Sequence, residues 1–439
     1  MKLFIIFILL LELNSEKYLI LNIKTDNTKL NQIIYNNFIK SEDIIEALFY
    51  NNIFYLTKIG KPKRELKLYL SFNTSKTIIN NKEYSNFHSA TYKYNNITND
   101  SIDLFEVNRN EINDYYFNLL DIAENNKNIN NKCILGLRPS NESNKKANFL
   151  FQLKKNGFID ERIFSIIIKE NPENEYLKKE FLLLGRLPEE YDSKNFPKNK
   201  INWSPICQIS KNDKKNDEKW IIKIDSFNLK EDNNYLYNAN NTYFEFILEN
   251  NLIIGPDTFR DYLLDNFLNT LIYKEICKED YFYNERNQKH FIYYECRKFE
   301  EFKNKILYFK NKELNETFEI NLADLFYEYK RKFFFGIIFD GNPKKNKGLN
   351  NIWGMGKIFY EKYSFVFDDE NKRIGYYKIE KLKENPFIIL ASFFSFLCFI
   401  FLMIIIGINI KRKNINKDIN EKGKSKENKE NKVQKEKIN

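Results

Sequence analysis

The chain has 439 residues, of which 43% are hydrophobic and 30% are charged, and its formal net charge is +10. This length allows two medium domains or one large bilobal domain, and the hydrophobic fraction excludes a wholly disordered chain. Much of the positive charge lies in the tail that begins at Lys411, and basic residues do not interleave with aromatic ones on a periodic face. The composition therefore does not predict nucleic-acid binding.

An apolar run near the start of the chain predicts a secretory signal. Leu3 to Leu11 contains only apolar residues and ends at an acidic residue, Glu12. The run is too short for the roughly 20 residues that span a bilayer, but it fits the core of a signal peptide. We therefore predict a signal peptide at residues 1–15. Glycosylation sequons, at Asn96, Asn141 and Asn315 among others, fit a domain that enters the secretory pathway.

A second apolar run predicts a membrane anchor. Phe387 to Ile408 carries no charged residue and is followed by a basic cluster that begins at Lys411. We predict a transmembrane helix at residues 386–410, with the basic flank on the cytoplasmic side. The charged, low-complexity tail at residues 411–439 is expected to be disordered. The chain is then a single-pass type I membrane protein of the secretory pathway, with a lumenal or extracellular ectodomain.

The pattern between these two segments is typical of an all-β protein. Short apolar runs separated by polar turns predict strands: Phe54–Leu56, Leu66–Leu70, Phe164–Ile168, Trp220–Ile224, Tyr243–Leu248 and Tyr363–Phe367. Phe149–Asn156 and Thr258–Leu271 are amphipathic and predict helices. Many short strands over more than 300 residues favour two lobes, which we place at residues 16–200 and 201–380.

Several motifs, read in chain order, resemble those of pepsin-like aspartic proteases. Phe54-Tyr55-Leu56 leads into Ile59-Gly60-Lys61-Pro62, where that family has a strand and an Ile-Gly-Thr-Pro turn. Cys133–Leu137 is similar to the family's hydrophobic-hydrophobic-Gly element. Three further segments resemble its interlobe strands: Leu184-Gly185, Trp203–Ile206 and Trp220–Ile222.

The last motifs of the ectodomain are the most specific. Met355–Phe359 is followed by Tyr363, Val366–Asp368 and Arg373–Tyr376. This succession resembles, without gaps, the family's Leu-Gly-Asp-x-Phe … Tyr … Val-Phe-Asp … Arg-Ile-Gly-Phe ending. The resemblance implies an all-β, bilobal pepsin-like fold, an ancestral endopeptidase activity without a cofactor, and a polypeptide ligand in the cleft between the lobes.

One disulfide is predicted among the five cysteines. Cys277 and Cys296 close a short loop, and an oxidising compartment favours their pairing. The resemblance also places a disulfide in this part of the C-terminal lobe.

The catalytic motif of the family is missing from the chain. Aspartic proteases use two carboxylates that share one proton, and each aspartate lies in an Asp-Thr/Ser-Gly loop. No such triplet occurs here. Counting from Pro62 places Ser71 at the first aspartate position, and a two-residue insertion would instead place Asn73 there.

The second aspartate position is also substituted. Counting back from Pro256 places Ile247 there, whereas a two-residue deletion would place Glu249 there. Glu249 is thus the only acid of a possible pair that the sequence retains. In the family, a tyrosine lies in the flap, the hairpin that covers the cleft. Tyr92 and Tyr94 are the candidates for that residue here.

These substitutions predict little or no peptide hydrolysis, since the loss of a general base costs about 10⁴- to 10⁶-fold in rate. Two alternatives stay open: a working protease that pairs Glu249 with an unplaced acid, and a receptor or adhesin whose cleft is filled by Phe72 and Ile247. The only histidines, His88 and His290, lack the spacing of a metal site, so no metal is expected.

Overall fold

The structure of the protein is a computed structural model. It describes residues 17–25, 40–50, 53–59, 64–78, 93–95, 97–105, 111–118, 133–140, 148–171, 174–193, 195–198, 200–208, 218–231, 234–284, 288–341, 351–377, 399, 400, 403 and 406. The predicted signal peptide, the predicted cytoplasmic tail and nearly all of the predicted transmembrane segment lie outside these residues.

The chain forms two compact units, Met1–Ile379 and Glu380–Asn439. In the second unit, the four described residues are helical and exposed: Phe399, Ile400, Met403 and Ile406. Within the described part of the chain, no helix combines the length and the hydrophobicity needed to cross a bilayer.

Strands dominate the first unit. In chain order they are β1 Leu19–Thr25, β2 Ile53–Ile59, β3 Arg64–Ser71, β4 Lys93–Asn95, β5 Ile97–Phe105, β6 Glu111–Asn118, β7 Cys133–Gly136, β8 Ile163–Asn171, β9 Asn174–Leu184, β10 Ile201–Pro205, β11 Ile221–Glu231, β12 Asn234–Phe246, β13 Ile253–Gly255, β14 Cys277–Asn284, β15 Lys289–Cys296, β16 Lys305–Asn311, β17 Glu316–Asn321, β18 Phe326–Tyr329, β19 Lys332–Phe335, β20 Ile337–Asp340, β21 Ile352–Met355, β22 Phe365–Asp368 and β23 Arg373–Tyr377.

The helices are short. They are α1 Ser41–Phe49, α2 Phe149–Lys155, α3 Pro188–Tyr191, α4 Asp257–Leu263, α5 Asn269–Tyr273 and α6 Lys357–Lys362, with a π-helical turn at Leu264–Leu268 between α4 and α5. The helix predicted at Phe149–Asn156 is confirmed as α2. The one predicted at Thr258–Leu271 is confirmed as the run from α4 through the π-helical turn to α5.

One sheet joins the two halves of the chain. It has 12 strands, and its main path runs β10-β23-β22-β8-β9-β1-β2-β3-β7. Strand β8, from the N-terminal half, therefore pairs with β22 from the C-terminal half, and β23 and β10 follow on the far side of β22. This is the interlobe sheet that the resemblance predicts, and Leu184 and Trp203–Pro205 lie in it as expected.

The third predicted interlobe segment, Trp220–Ile222, does not join that sheet. Its strand, β11, pairs with β12 and β16 in a second, 11-stranded sheet. The Trp220 side chain still contacts the first sheet, because its ring lies 5.2 Å from that of Phe367 and its indole N–H donates to the Leu137 carbonyl at 2.7 Å. The apolar run therefore predicted the strand correctly, but the resemblance assigned it to the wrong sheet.

A cluster of aromatic side chains forms around Phe367 of β22. Phe367 contacts Phe72 and Phe164, with ring centroids 5.0 and 4.9 Å apart. All three are buried. Full burial of a phenylalanine side chain contributes about 1.5–3 kcal/mol, so this cluster is a main source of stability beneath the loops described below.

The predicted disulfide is confirmed. Cys277 and Cys296 are bonded to each other and lie opposite one another in the β14–β15 hairpin. The bridge therefore closes the open end of this hairpin.

Candidate functional site

The first candidate loop begins at the end of β3. Ser71 is the last residue of that strand and lies opposite Gly136 in the parallel β3–β7 pair. A Cβ atom on Gly136 would lie 2.5 Å from the Lys76 carbonyl oxygen and 2.6 Å from the Lys76 nitrogen, so only glycine fits there. The Leu137 amide donates to the Ser71 carbonyl at 2.8 Å, which fixes the start of the loop.

The second candidate loop has the same construction. Strand β12 runs parallel to β21, with Phe246 opposite Met355, and the Ile247 amide donates to the Met355 carbonyl at 3.0 Å. Ile247 is therefore opposite Gly356, just as Ser71 is opposite Gly136. Ser71 and Ile247 therefore occupy similar backbone positions in their two loops.

A glutamate two residues farther along brings the two loops together. The Ser71 hydroxyl and Oε1 of Glu249 are joined by a short hydrogen bond. The backbone amide of Asn73 also donates to Glu249 Oε1, at 3.1 Å. The same amide lies 3.1 Å from the hydroxyl oxygen of Ser71. The carboxyl group from the C-terminal lobe is therefore held inside the N-terminal loop.

Ile247 does not take part in this contact. Its side chain is half-buried and packs against Gly354, where a Cβ atom would lie 2.8 Å from Ile247 Cδ1. Asn73 contributes its backbone amide, and no hydrogen bond from its side chain to Glu249 is seen among the described residues. The structure thus unites Ser71 with Glu249 and leaves Ile247 outside the polar contact.

Burial controls the charge of Glu249. Removal from water raises the pKa of its carboxyl group. Hydrogen bonds from Ser71, from its own amide and from the Asn73 and Phe72 amides act in the opposite direction but do not cancel this effect. The Oε2 atom is buried and has no hydrogen-bond partner among the described residues. The protonated carboxyl is consequently favoured over a wider pH range than in an exposed glutamate.

Tyr360 is a second polar group in this region that sequence reasoning missed. Burial raises the pKa of its hydroxyl, and the negative charge of Glu249 adds to the increase. Its hydroxyl has no hydrogen-bond partner within the described part of the chain. The residue follows Phe359 in helix α6, so its proximity to Glu249 could not be read from motif spacing.

In the part of the chain that the structure describes, the polar groups of this site are the Glu249 carboxyl and the hydroxyls of Ser71 and Tyr360. Among the described residues, no second carboxylate hydrogen-bonds to Glu249. A serine hydroxyl cannot accept a proton from water near neutral pH, so the site lacks the shared-proton pair that activates water.

A family model for eukaryotic aspartyl proteases matches residues 67–379, which is most of the chain. The chain belongs to the eukaryotic aspartyl protease family. A comparison with curated proteins found no match. The matched residues include both candidate loops. That Ser71 and Ile247 stand where the family has its aspartates stays a prediction.

The flap prediction is not tested by the structure. Tyr94 lies in strand β4, and Tyr92 lies outside the described residues.

Lys357 is a further departure from the aspartyl protease pattern, since it replaces the acid of the Leu-Gly-Asp motif. Its ammonium group lies 2.7 Å from Glu180 Oε1 and 2.7 Å from the Thr25 hydroxyl. The lysine and glutamate side chains are each 10% exposed. A lysine in a buried motif requires a nearby negative charge, but the sequence does not reveal that Glu180 supplies it.

The raised pKa of Glu249 predicts a specific dependence of stability on pH. Because the folded protein holds this proton more tightly than the unfolded chain, the stabilisation is complete below the ordinary glutamate value of 4.5 and is lost as the pH rises through the folded pKa. In Glu249→Gln this loss disappears. We expect the variant to gain stability relative to the wild type as the pH rises above 4.5 in urea unfolding experiments.

Glu370 provides a control of opposite sign. A hydrogen bond from Lys154 lowers the pKa of the Glu370 carboxyl. This carboxylate stabilises the fold above its unfolded pKa, and the stabilisation is lost as the pH falls. Glu370→Gln should therefore lose stability relative to the wild type as the pH rises towards the ordinary value of 4.5, and should change little relative to it above that pH. If Glu249→Gln instead follows the wild-type profile above pH 4.5, the assigned charge of Glu249 is wrong.

Proposed function

We propose that this protein is a membrane-tethered member of the aspartyl protease family that has lost peptide hydrolysis and binds extended polypeptide in its cleft. The contact between Ser71 and Glu249 carries the proposal. It supplies a single carboxyl group where the family mechanism requires two.

The loss of hydrolysis follows from proton transfer. One carboxylate must remove a proton from water while a second, protonated carboxyl polarises the peptide carbonyl. Glu249 can perform one of these roles, but the Ser71 hydroxyl can perform neither the base step nor the sharing of a proton. The hydrogen bonds of Asn73 and Ser71 to Glu249 stabilise the inert arrangement.

Binding of polypeptide is the part of the ancestral function that does not need the missing acid. The family supports an extended peptide as ligand, and such chains bind mainly through backbone hydrogen bonds to strand edges and loops. Loss of one catalytic side chain leaves these backbone groups intact.

The two other hypotheses receive less support. A working dyad would need another acid beside Glu249, and the group found there is the Ser71 hydroxyl. A filled cleft would need Phe72 to point into it, but Phe72 is buried against Phe164 and Phe367. The structure therefore favours neither a working protease nor a receptor with a filled cleft.

Binding and cleavage are separable in one experiment. A fluorescently labelled, unstructured casein peptide is titrated with the purified full chain at about pH 5, and the same samples are then analysed for fragments. We expect saturable binding with the peptide intact, in the wild type and in Glu249→Gln. Fragments made by the wild type but not by Glu249→Gln would contradict the proposed loss of hydrolysis, and a lack of saturable binding would contradict the proposed ligand.

The membrane tether is tested independently. The proposal places the ectodomain in the lumen or outside the cell and the segment 386–410 in the bilayer. We expect the full chain, expressed in a eukaryotic cell, to remain in the membrane pellet after alkaline carbonate extraction, and a chain that ends after Tyr377 to be released. Release of the full chain would contradict the tether.

A further inference from the structure

Helix α1 lies in an insertion between two neighbouring strands. Strands β1 and β2 pair directly, with Ile23 opposite Tyr55, although 27 residues separate them along the chain (26 to 52). The chain therefore leaves the N-terminal lobe, forms α1, and returns to the strand next to the one it left.

The buried face of α1 contacts the C-terminal lobe. Its buried residues are Ile44, Ile45, Ala47 and Phe49. They form one apolar cluster with residues from the far half of the chain: Leu252, Phe282, Phe291, Tyr293, Phe334 and Ile338. The Phe49 ring lies 5.2 Å from that of Phe291.

The helix covers the second face of a sheet whose first face is already buried. Along β15, Ile292 and Tyr294 belong to the main core, whereas Phe291 and Tyr293 belong to the α1 cluster. Alternate residues of a strand point to opposite faces. Without α1, this second row of aromatic side chains would meet water.

The C-terminal end of α1 is bonded to the loop that carries Glu249. The Asn251 amide donates to the Phe49 carbonyl at 2.8 Å, and the Asn251 side chain donates to the carbonyls of Leu48 and Tyr50 at 2.9 and 3.1 Å. Tyr50 also forms an isolated β-bridge with Asn250.

The opposite side of the same loop is held by the closing motif. The Lys357 amide donates to the Asn250 carbonyl at 2.7 Å, and the Ile358 amide donates to the Asn251 carbonyl at 3.2 Å. Residues 249–251 therefore lie between α1 on one side and the start of α6 on the other.

We propose that α1 is an interlobe clamp and that Asn251 is the positioning residue through which it holds Glu249 against Ser71. The loop can move only if the bonds to Leu48, Phe49 and Tyr50 are broken. The N-terminal insertion thereby sets the separation of the two loops, whether or not the cleft is catalytic.

The test is amide hydrogen exchange on the full chain, read at Asn73. That amide donates to Glu249, so it reports on the position of the carboxyl group without belonging to the clamp. In Asn251→Ala, we expect exchange at Asn73 to become roughly five- to tenfold faster, as for the loss of one hydrogen bond. Ser41→Ala removes a contact with Lys332 at the other end of α1 and should leave Asn73 unchanged.

A purely local role for Asn251 predicts a different pattern. Exchange would then increase at Phe49, Tyr50 and Asn251 but not at Asn73, and this result would overturn the proposal. If Asn251→Ala does not fold, Phe49→Leu weakens the same docking and is read at the same amide. No change at Asn73 in a folded Phe49→Leu that exchanges faster throughout α1 would also overturn it.

A modification site follows from a separate observation at the β16–β17 hairpin. Asn315 belongs to an Asn-Glu-Thr sequon, is exposed, and lies at the end of the turn with a left-handed φ of 48°. Asparagine adopts this conformation more readily than most residues. Thr317, the hydroxyl residue of the sequon, is half-buried rather than enclosed.

Three other described sequons, which begin at Asn73, Asn202 and Asn240, differ from this one because their hydroxyl residue is buried. These residues are Ser75, Ser204 and Thr242. We infer that Asn315 carries an N-linked oligosaccharide and that Asn73, Asn202 and Asn240 do not. This inference rests on the proposed lumenal ectodomain.

Expression of the full chain in a eukaryotic cell, followed by digestion with an N-glycosidase, tests the site. On a gel, we expect Asn315→Gln to show one band shift fewer than the wild type during partial digestion, and Asn240→Gln to show the same number. Glycans on other sequons, such as those at Asn96 and Asn141, give the series of bands in which the loss of one is counted. An unchanged ladder in Asn315→Gln would overturn the site alone, whereas a chain without any glycan would contradict both the site and the proposed lumenal location.

Discussion

Replacement of Ser71 by aspartate is expected to create peptidase activity. The new carboxyl group would lie beside Glu249, where the serine hydroxyl now makes its hydrogen bond. Two carboxyl groups this close cannot both ionise, so they would share a proton as the family mechanism requires. We expect hydrolysis of an unstructured peptide at about pH 4–6 to rise at least about 10²-fold above the wild type, or roughly 2.7 kcal/mol of transition-state stabilisation.

Ser71→Asn is the matched control for this gain. Asparagine has the shape of aspartate but cannot share or accept the proton, so its rate should stay at the wild-type level. Ile247→Asp is not required for the gain, because Glu249 supplies the second carboxyl from the same loop. Equal rates in Ser71→Asp and Ser71→Asn would mean that a missing acid is not what prevents hydrolysis.

Replacement of Lys357 by methionine is expected to destabilise the fold strongly. Glu180 would keep its charge at 10% exposure but lose the ammonium group 2.7 Å away. Removal of one partner from a buried ion pair costs about 3–5 kcal/mol. Urea unfolding at neutral pH, followed by the fluorescence of the buried Trp220 and Trp353, measures this loss.

Two further variants separate the charge effect from packing. In Lys357→Met/Glu180→Gln no charge remains uncompensated and the Thr25 hydroxyl keeps an acceptor, so we expect stability within about 1 kcal/mol of the wild type. Lys154→Met removes an ion pair of the same 2.7 Å length whose side chains are 38% and 39% exposed, and it should cost about 0–1 kcal/mol. A double variant as unstable as the single one would refute the buried-charge explanation.

Much of the fold could be predicted from the sequence because it depends on local pattern and on the order of motifs. Short apolar runs between polar turns predicted many of the strands, and the amphipathic stretch Phe149–Asn156 predicted helix α2. Cys277 and Cys296 were paired correctly because a short loop leaves few choices. These features depend on residues close in sequence.

The candidate site could be predicted only in part. The count along the chain selected Ser71 and Ile247, which occupy similar backbone positions in their two loops, but the carboxyl group comes from Glu249. A glutamate side chain is longer than an aspartate, so it can start two residues away and still reach the same place. Spacing gives the position of a Cα atom and does not give the direction of a long side chain.

Contacts between residues far apart in the chain could not be predicted from the sequence. The charge of Lys357 requires a buried acid, yet nothing in the pattern indicates Glu180, 177 positions away. The sequence analysis did not predict helix α1, whose buried face contacts Phe291 and Phe334 from the far half of the chain. Such contacts depend on how the sheets pack, which no local pattern encodes.

The most direct test of the proposed loss of activity compares the wild type with Glu249→Gln in a peptidase assay from about pH 3 to 7. If a single carboxyl paired with a hydroxyl cannot activate water, both proteins will hydrolyse an unstructured peptide at the same background rate at every pH. A wild-type rate that exceeds that of Glu249→Gln, with a maximum at acid pH, would contradict this and identify the protein as a working protease.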